Sequence, residues 1–321
     1  MDNYRDIAAE LRRRIRRGVY QNDTALPTRM ELLKEFNVAR STLDRAVALL
    51  SASGDVVSRR GSGTYVKSPG DYRVAFIVQS KLFDTEKFSL PLIPVMASSI
   101  EPRSEQMKLL DYDALIWMQP NRKMLEIARR FTGKCPQLVL NRMETGLPGI
   151  SFDHRKAFYE ITSMRLQTCP DGIPVFLHQQ NDTLPSRYRF EGFADACRER
   201  KRFYEFCQMP DDFEEKIRVL KQKFAALPTD KPMIIISDTR KHTGAVMALA
   251  REQKWIWKKS HFYSDFDNDF EKAVWGVDVT SFLQDTDMLI REGCKRIVGL
   301  LNNNDDGDLT LIPASFRDGD T

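Results

Sequence analysis

The chain has 321 residues, 42% of them hydrophobic and 29% charged. That is soluble globular composition, too apolar for disorder and long enough for two domains. No window reaches the roughly 18 uninterrupted apolar residues of a membrane helix, and the start, MDNYRDIAAELRRRIRR, has no apolar signal core. Five scattered cysteines (Cys135, Cys169, Cys197, Cys207, Cys294) without CxxC pairing fit a reduced, cytoplasmic protein. The net charge of +4 is concentrated. Residues 1–69 hold 13 Lys+Arg against 8 Asp+Glu, and the remaining 252 hold 36 against 37. A basic head on a neutral body suits phosphate contact, the alternative being a solvated basic helix face.

Tyr4, Ile7, Ala8, Leu11 and Ile15 recur at helical spacing. They predict an amphipathic helix over residues 4–17, arginines outward, stopped at Gly18. After Leu26-Pro27, the pattern Thr28-Arg29-Met30-Glu31 is a capping box opening a second helix to about Phe36. Leu43, Ala46, Val47 and Leu50 form a third stripe, from about Arg40 to Ser53. Residues 55–58 and 64–67 are short β segments around Arg59-Arg60-Gly61-Ser62-Gly63, a hairpin that reads as the wing of a winged helix-turn-helix.

The run Tyr4…Ile7-Ala8…Leu11, Leu26-Pro27, Glu31-Leu32, Phe36-Asn37-Val38, Arg40-Ser41-Thr42 and Gly61-Ser62-Gly63-Thr64-Tyr65-Val66 resembles the GntR family of bacterial regulators. The match covers nearly all of residues 4–67. It implies a third helix in the major groove, with Arg40, Ser41, Thr42 and Arg45 at or near base edges. It also implies phosphate contacts from Thr28 and Arg29, and a wing (Arg60, Gly61, Ser62, Gly63) over the backbone or minor groove. A solvated helix arginine is the competing reading of Arg45. The chain departs from the family in Asn22-Asp23, in Ala39 where a serine cap is usual, and in Asp44 where arginine is common. The operator therefore does not carry over from typical members.

Ser68-Pro69-Gly70-Asp71 reads as a linker, which divides the chain into residues 1–68, a linker at 69–72 and a body at 73–321. In the body, predicted strands (73–78, 114–118, 137–141, 174–177, 233–236, 261–263) alternate with predicted helices (123–131, 155–167, 188–200, 212–226, 243–253, 285–301). That alternation means βαβ units and a parallel sheet, an α/β fold. The four histidines (His154, His178, His242, His261) are far apart and fit no metal-ligand spacing. No metal or cofactor is expected.

Several segments together resemble the LacI/GalR effector domain, a two-lobed periplasmic-binding-protein fold. They include Tyr112-Asp113-Ala114-Leu115-Ile116, Cys135-Pro136 through Asn141-Arg142, Arg189-Phe190-Glu191-Gly192-Phe193, Ile234 through Asp238, Phe262 through Asn268, and Leu311-Ile312-Pro313. A GntR head on such a body is the arabinose-repressor architecture. Between Val78 and Asp113 the chain is shorter than that pattern and carries Pro91, Pro94 and Pro102, so one strand there is expected to be missing or irregular. The resemblance implies a sugar effector between the lobes. Arg189 and Asp267 would clasp its hydroxyls, Asp153, Asn141, Asp238 and Gln284 would assist, and Phe213 would stack. A structural ion pair or loop cap is the competing reading for Arg189 and Asp267, and an ordinary core residue for Phe213. The aromatic cluster Trp255, Trp257, Phe262, Tyr263 and Phe266 reads as core or dimer interface.

The expected function is a ligand-responsive, cytoplasmic, homodimeric DNA-binding regulator, a repressor of a carbohydrate operon, with operator DNA and a small effector as partners and no membrane. A constitutive regulator whose body only dimerises is the alternative. An enzyme body is disfavoured by the lack of GxSxG, GxxxxGK[ST] or HExxH motifs.

Overall fold

The computed structural model describes the chain apart from residues 1, 2, 22, 60, 61, 68–71, 80–83, 87, 89, 144, 145, 180–183, 271 and 303–306, and the side chains of residues 184 and 273. Its contacts define two compact units, Met1–Ser151 with Asp287–Thr310, and Phe152–Thr286 with Leu311–Thr321.

The head comprises α1 (Tyr4–Arg16), α2 (Arg29–Phe36), α3 (Arg40–Ala52), and an antiparallel hairpin of β1 (Val56–Arg59) and β2 (Gly63–Val66). Its core is the predicted apolar stripe: Ile7, Leu11, Leu32, Leu43 and Leu50 are completely buried. One expectation is corrected here. The arginines of α1 do not all face outward, because Arg12 is 2% exposed and ion-paired inside the first unit.

The chain then runs through β3 (Val74–Val78), β4 (Leu92–Met96), a 3-10 turn, the short α4 (Arg103–Gln106), a second 3-10 turn (Met107–Asp111), β5 (Ala114–Met118), α5 (Arg122–Arg129), β6 (Gln137–Leu140) and β7 (Gly149–Phe152). Every residue of β3, β5 and β6 is buried, as a parallel sheet covered on both faces requires. The strand expected to be missing or irregular is present as β4, parallel to β3 over five residues. It is the edge strand of its sheet, the position to which prolines such as Pro94 are confined in sheets.

The second unit contains α6 (His154–Thr168), β8 (Ile173–Gln179), α7 (Leu184–Glu199), β9 (Glu205–Met209), α8 (Phe213–Ala225), β10 (Met233–Ser237), α9 (Thr243–Gln253), β11 (His261–Phe266), α10 (Lys272–Trp275) and β12 (Thr280–Leu283). Then α11 (Thr286–Leu301) returns to the first unit, followed by β13 (Leu309–Ile312) and β14 (Ser315–Arg317). The two sheets run β13-β7-β6-β5-β3-β4 and β14-β12-β11-β10-β8-β9. In the second, β9, β8, β10, β11 and β12 are parallel and β14 is antiparallel. The aromatic cluster is largely core: Tyr263 and Phe266 are buried on opposite sides of that sheet, in separate apolar clusters.

Candidate functional site

In the head, Thr28 caps α2 in a reciprocal box with Glu31, so its hydroxyl is engaged by its own helix. Arg29 reaches Asp44 of α3 at 3.2 Å and Thr64 of the hairpin at 3.4 Å, tying α2 to both neighbours. Ala39 gives α3 no side-chain cap. Its first amides therefore have no side-chain acceptor, and they sit at the positive end of the helix dipole. Arg40, Ser41 and Arg45 are exposed on that helix and Thr42 is half-buried. Asp44 lies 3.2 Å from the Arg29 Nε and 3.7 Å from the Arg40 Nε, so this carboxylate is flanked by two cations. Ser62 bonds the Tyr65 hydroxyl at 2.6 Å, and the Arg59 guanidinium lies 4.4 Å above the Tyr65 ring. Gly63 turns the hairpin at φ +124°. Arg60 and Gly61 lie outside the described residues.

In the second unit, the parallel strands deliver polar residues to their carboxyl ends, where open α/β sheets place ligands. Gln179 closes β8, Asp238 follows β10, Asp267 and Asn268 follow β11, and Gln284 follows β12. Asp238 is completely buried. Its Oδ2 accepts the Gln179 amide at 3.0 Å and lies 3.0 Å from His178 Nδ1, and its Oδ1 lies 3.5 Å from His242 Nε2. Burial favours the neutral acid, but these partners prevail and hold the carboxyl well below the usual range. Burial also lowers the pKa of His242 against the pull of Asp238.

Arg189 on α7 donates Nη1 to the Asp238 carbonyl at 2.6 Å, meets His154 Nδ1 at 3.4 Å, and lies 4.0 Å over the Phe266 ring. Asp267 takes a left-handed backbone, φ +63°, which Asp tolerates better than most side chains. Its amide donates to the Phe282 carbonyl at 2.7 Å, its carbonyl accepts from Arg240 at 2.9 Å, and its Oδ1 accepts the Gln284 amide at 3.4 Å. Asp267 and Gln284 line a pocket of about 420 Å³ with Arg240, Asp269, Asp285 and Thr286, a volume that suits a small ligand.

Four of the sequence-predicted residues, Arg189, Asp238, Asp267 and Gln284, thus share one edge of the sheet. Asp153 instead caps α6, its side chain accepting the Lys156 amide at 2.9 Å. Phe213 lines a different groove of about 570 Å³, with Met247, Phe270, Val274 and Trp275. Asn141 belongs to the first unit, directly after β6, with φ +59°. Spacing alone did not reveal His154, His178, His242 or Arg240. The signal was positional, since His178 follows a predicted strand and His154 and His242 each precede a predicted helix. Among the described residues, no group of three or more His, Cys, Asp or Glu is placed to hold a metal ion. His261 sits at the opposite end of β11, stacked 3.9 Å from Trp255, and burial pushes its pKa down to about 4.

Residues 3–66 match the model of the bacterial regulatory proteins of the gntR family. Over 66 residues the chain is 42% identical to the HTH-type transcriptional regulator GmuR of Bacillus subtilis, a match covering 21% of this chain and 28% of that one. Over 87 residues it is 42% identical to the mannosyl-D-glycerate transport/metabolism system repressor MngR of Escherichia coli, covering 27% and 35%. The chain thus spans only about a quarter to a third of the length of these curated relatives. The body has the fold of LacI-family regulators. The structure of one from Chloroflexus aggregans superposes with a TM-score of 0.64 at 13% identity, covering 76% of this chain and 96% of that one. A regulator from Enterococcus faecium with bound ribose gives 0.60 at 12%, covering 77% and 97%. No helix among the described residues is long and apolar enough to cross a membrane.

Proposed function

We propose that this chain is a non-enzymatic, ligand-responsive transcriptional regulator. Residues 1–68 bind duplex operator DNA and residues 73–321 bind a polyhydroxylated effector and dimerise. The observation that carries the reading is the carboxyl-edge pocket bearing Asp267 and Gln284, on the fold of sugar-responsive regulators and in a chain with a gntR-type head. Relatives that share the head include the repressor of mannosyl-D-glycerate metabolism and a probable fructoselysine-operon repressor, which favours a carbohydrate-linked effector and a repressor role in the cytoplasm.

Within the pocket, Asp267 and Gln284 bind hydroxyls by charge-assisted and amide hydrogen bonds. Arg189 and Asp238, whose polar atoms already meet protein groups, are not among the residues that line this pocket and serve the sheet's carboxyl edge as structural supports. Exposed apolar side chains at Phe213, Phe270 and Val274 form the face on which a second copy docks. The head contacts DNA through Arg40, Ser41, Thr42 and Arg45, with Arg29, Ser62 and Gly63 on the backbone.

A thermal-shift screen with neutral sugars, sugar acids and sugar phosphates tests the effector half. Ligand at 100-fold its Kd stabilises by about 2.7 kcal/mol. Asp267→Asn and Gln284→Ala should abolish that shift while leaving effector-free operator binding unchanged. No shift with any sugar at millimolar concentration would leave the constitutive dimer as the better account.

A further inference from the structure

At the junction of the head and the first sheet, charges are buried rather than solvated. The Arg12 Nε lies 2.9 Å from Asp55 Oδ2 and 3.7 Å from Asp113 Oδ1. Arg16 Nη2 lies 3.5 Å from Asp55 Oδ1 and 3.6 Å from Asp113 Oδ2. All four side chains are at most 8% exposed. Arg12 also donates to the Ser53 hydroxyl and to the Asp111 carbonyl, each at 3.0 Å. Arg5, one end of α1 away, pairs with the Asp111 carboxylate.

These charges come from two sources. Arg12, Arg16 and Asp55 belong to the head, whereas Asp113 stands immediately before β5 and also accepts the Arg73 amide at 2.8 Å. Two arginines and two carboxylates make a neutral set. Without Asp113 the head alone would bury two cations against one carboxylate, and buried charge is costly unless it is paired and hydrogen-bonded. A domain swinging freely on a tether keeps its ionic side chains in water, and this junction does the opposite. The arginines so engaged are also withdrawn from DNA, which accounts for part of the positive excess of the head.

We infer that α1 is a docking element, and that the Arg12–Arg16–Asp55–Asp113 cluster clamps the DNA-reading head onto the first parallel sheet so that the two move as one rigid body. The orientation of the recognition helix is then set by the body rather than by a flexible tether. This inference stands whether or not a sugar is the effector.

Pulsed electron spin resonance on the full chain tests it. Nitroxides are placed at exposed Val19 of the head (V19C) and exposed Lys108 of the body (K108C); the five native cysteines are all buried. The effector-free chain should give one narrow distance distribution. Asp113→Asn and, from the other side of the junction, Arg16→Gln should each broaden it at least twofold, with far-ultraviolet circular dichroism unchanged. Should Asp113→Asn disturb the sheet, Arg16→Gln leaves the body sequence intact and decides. A broad distribution in the parent chain overturns the inference, as does a narrow one that neither substitution alters.

Discussion

Asp44 and Asp265 are both carboxylates beside functional surfaces, and their surroundings give them opposite consequences. Asp44 is exposed on α3 and holds Arg29 and Arg40 within ion-pair range. Exposed pairs of this kind are worth at most about 1 kcal/mol. Asp44→Asn frees both cations toward phosphate, so operator DNA should bind up to about fivefold tighter at low salt, the gain shrinking as salt screens it. Anisotropy titrations at two ionic strengths check this, and weaker binding by the variant would show that Asp44 positions Arg40 rather than restraining it. Asp265 is buried, and burial outweighs the hydrogen bonds from Thr243 and Asn268 to push its pKa up to about 6. A carboxyl raised in the folded state binds its proton more tightly there than in the unfolded chain. Its neutral form therefore stabilises at low pH, and stability falls as pH rises from about 4 through 6. Asp265→Asn keeps the neutral form throughout. The variant should gain roughly 2–3 kcal/mol on the parent between pH 4 and pH 7. Melting curves across that range that stay parallel for parent and variant would exclude the effect.

The contact of α6 with α7 depends on Gly192, where an added Cβ would come 2.0 Å from the Arg155 carbonyl oxygen. That atom is backbone and cannot rotate away, so the helices must separate. Gly192→Ala should cost about 1–3 kcal/mol or more in unfolding free energy; a variant as stable as the parent in urea would mean that the helices part freely. The resemblance flagged this glycine by motif, and the close helix approach supplies its reason. Element identity was legible wherever periodicity ran long. The three head helices and α9 appear where the apolar spacing predicted them, to within one residue at either end. The buried strands β3, β5, β6 and β10 were read from their apolar runs, whereas β9 and β12 were not. β9 alternates over only five residues, and β12 is Thr280-Ser281-Phe282-Leu283, whose buried hydroxyls look like a loop until the neighbouring strands satisfy them. The site divides the same way. Asp238 and Asp267 could be read from their places after predicted strands, whereas the meeting of His178 and His242 on Asp238 is made by β8 and β10 pairing side by side.

For the whole molecule, the number of heads decides selectivity. One three-helix head reads too few base pairs to stand out in a genome, and two-fold symmetry joining two heads on a pseudo-palindrome is the common remedy. The second unit carries a surface suited to that pairing. Phe213, Phe270 and Val274, each more than 40% exposed, surround the groove over α9 and α10, an apolar patch with no interior role. Clustered apolar side chains on a soluble surface mark an interface more often than chance. A charge placed at an exposed position should spoil the interface without disturbing the core, so Val274→Asp should fold normally and yet halve the mass found by light scattering at micromolar concentration. Because a second tethered head adds about 10²–10⁴ in avidity, the same variant should lose that much affinity for a full operator. Its affinity for an isolated half-site should not change, since the head is untouched. If Val274→Asp remains dimeric, the two-fold axis lies on another face. If the parent chain is itself monomeric with and without DNA, the two-headed account of operator selectivity fails.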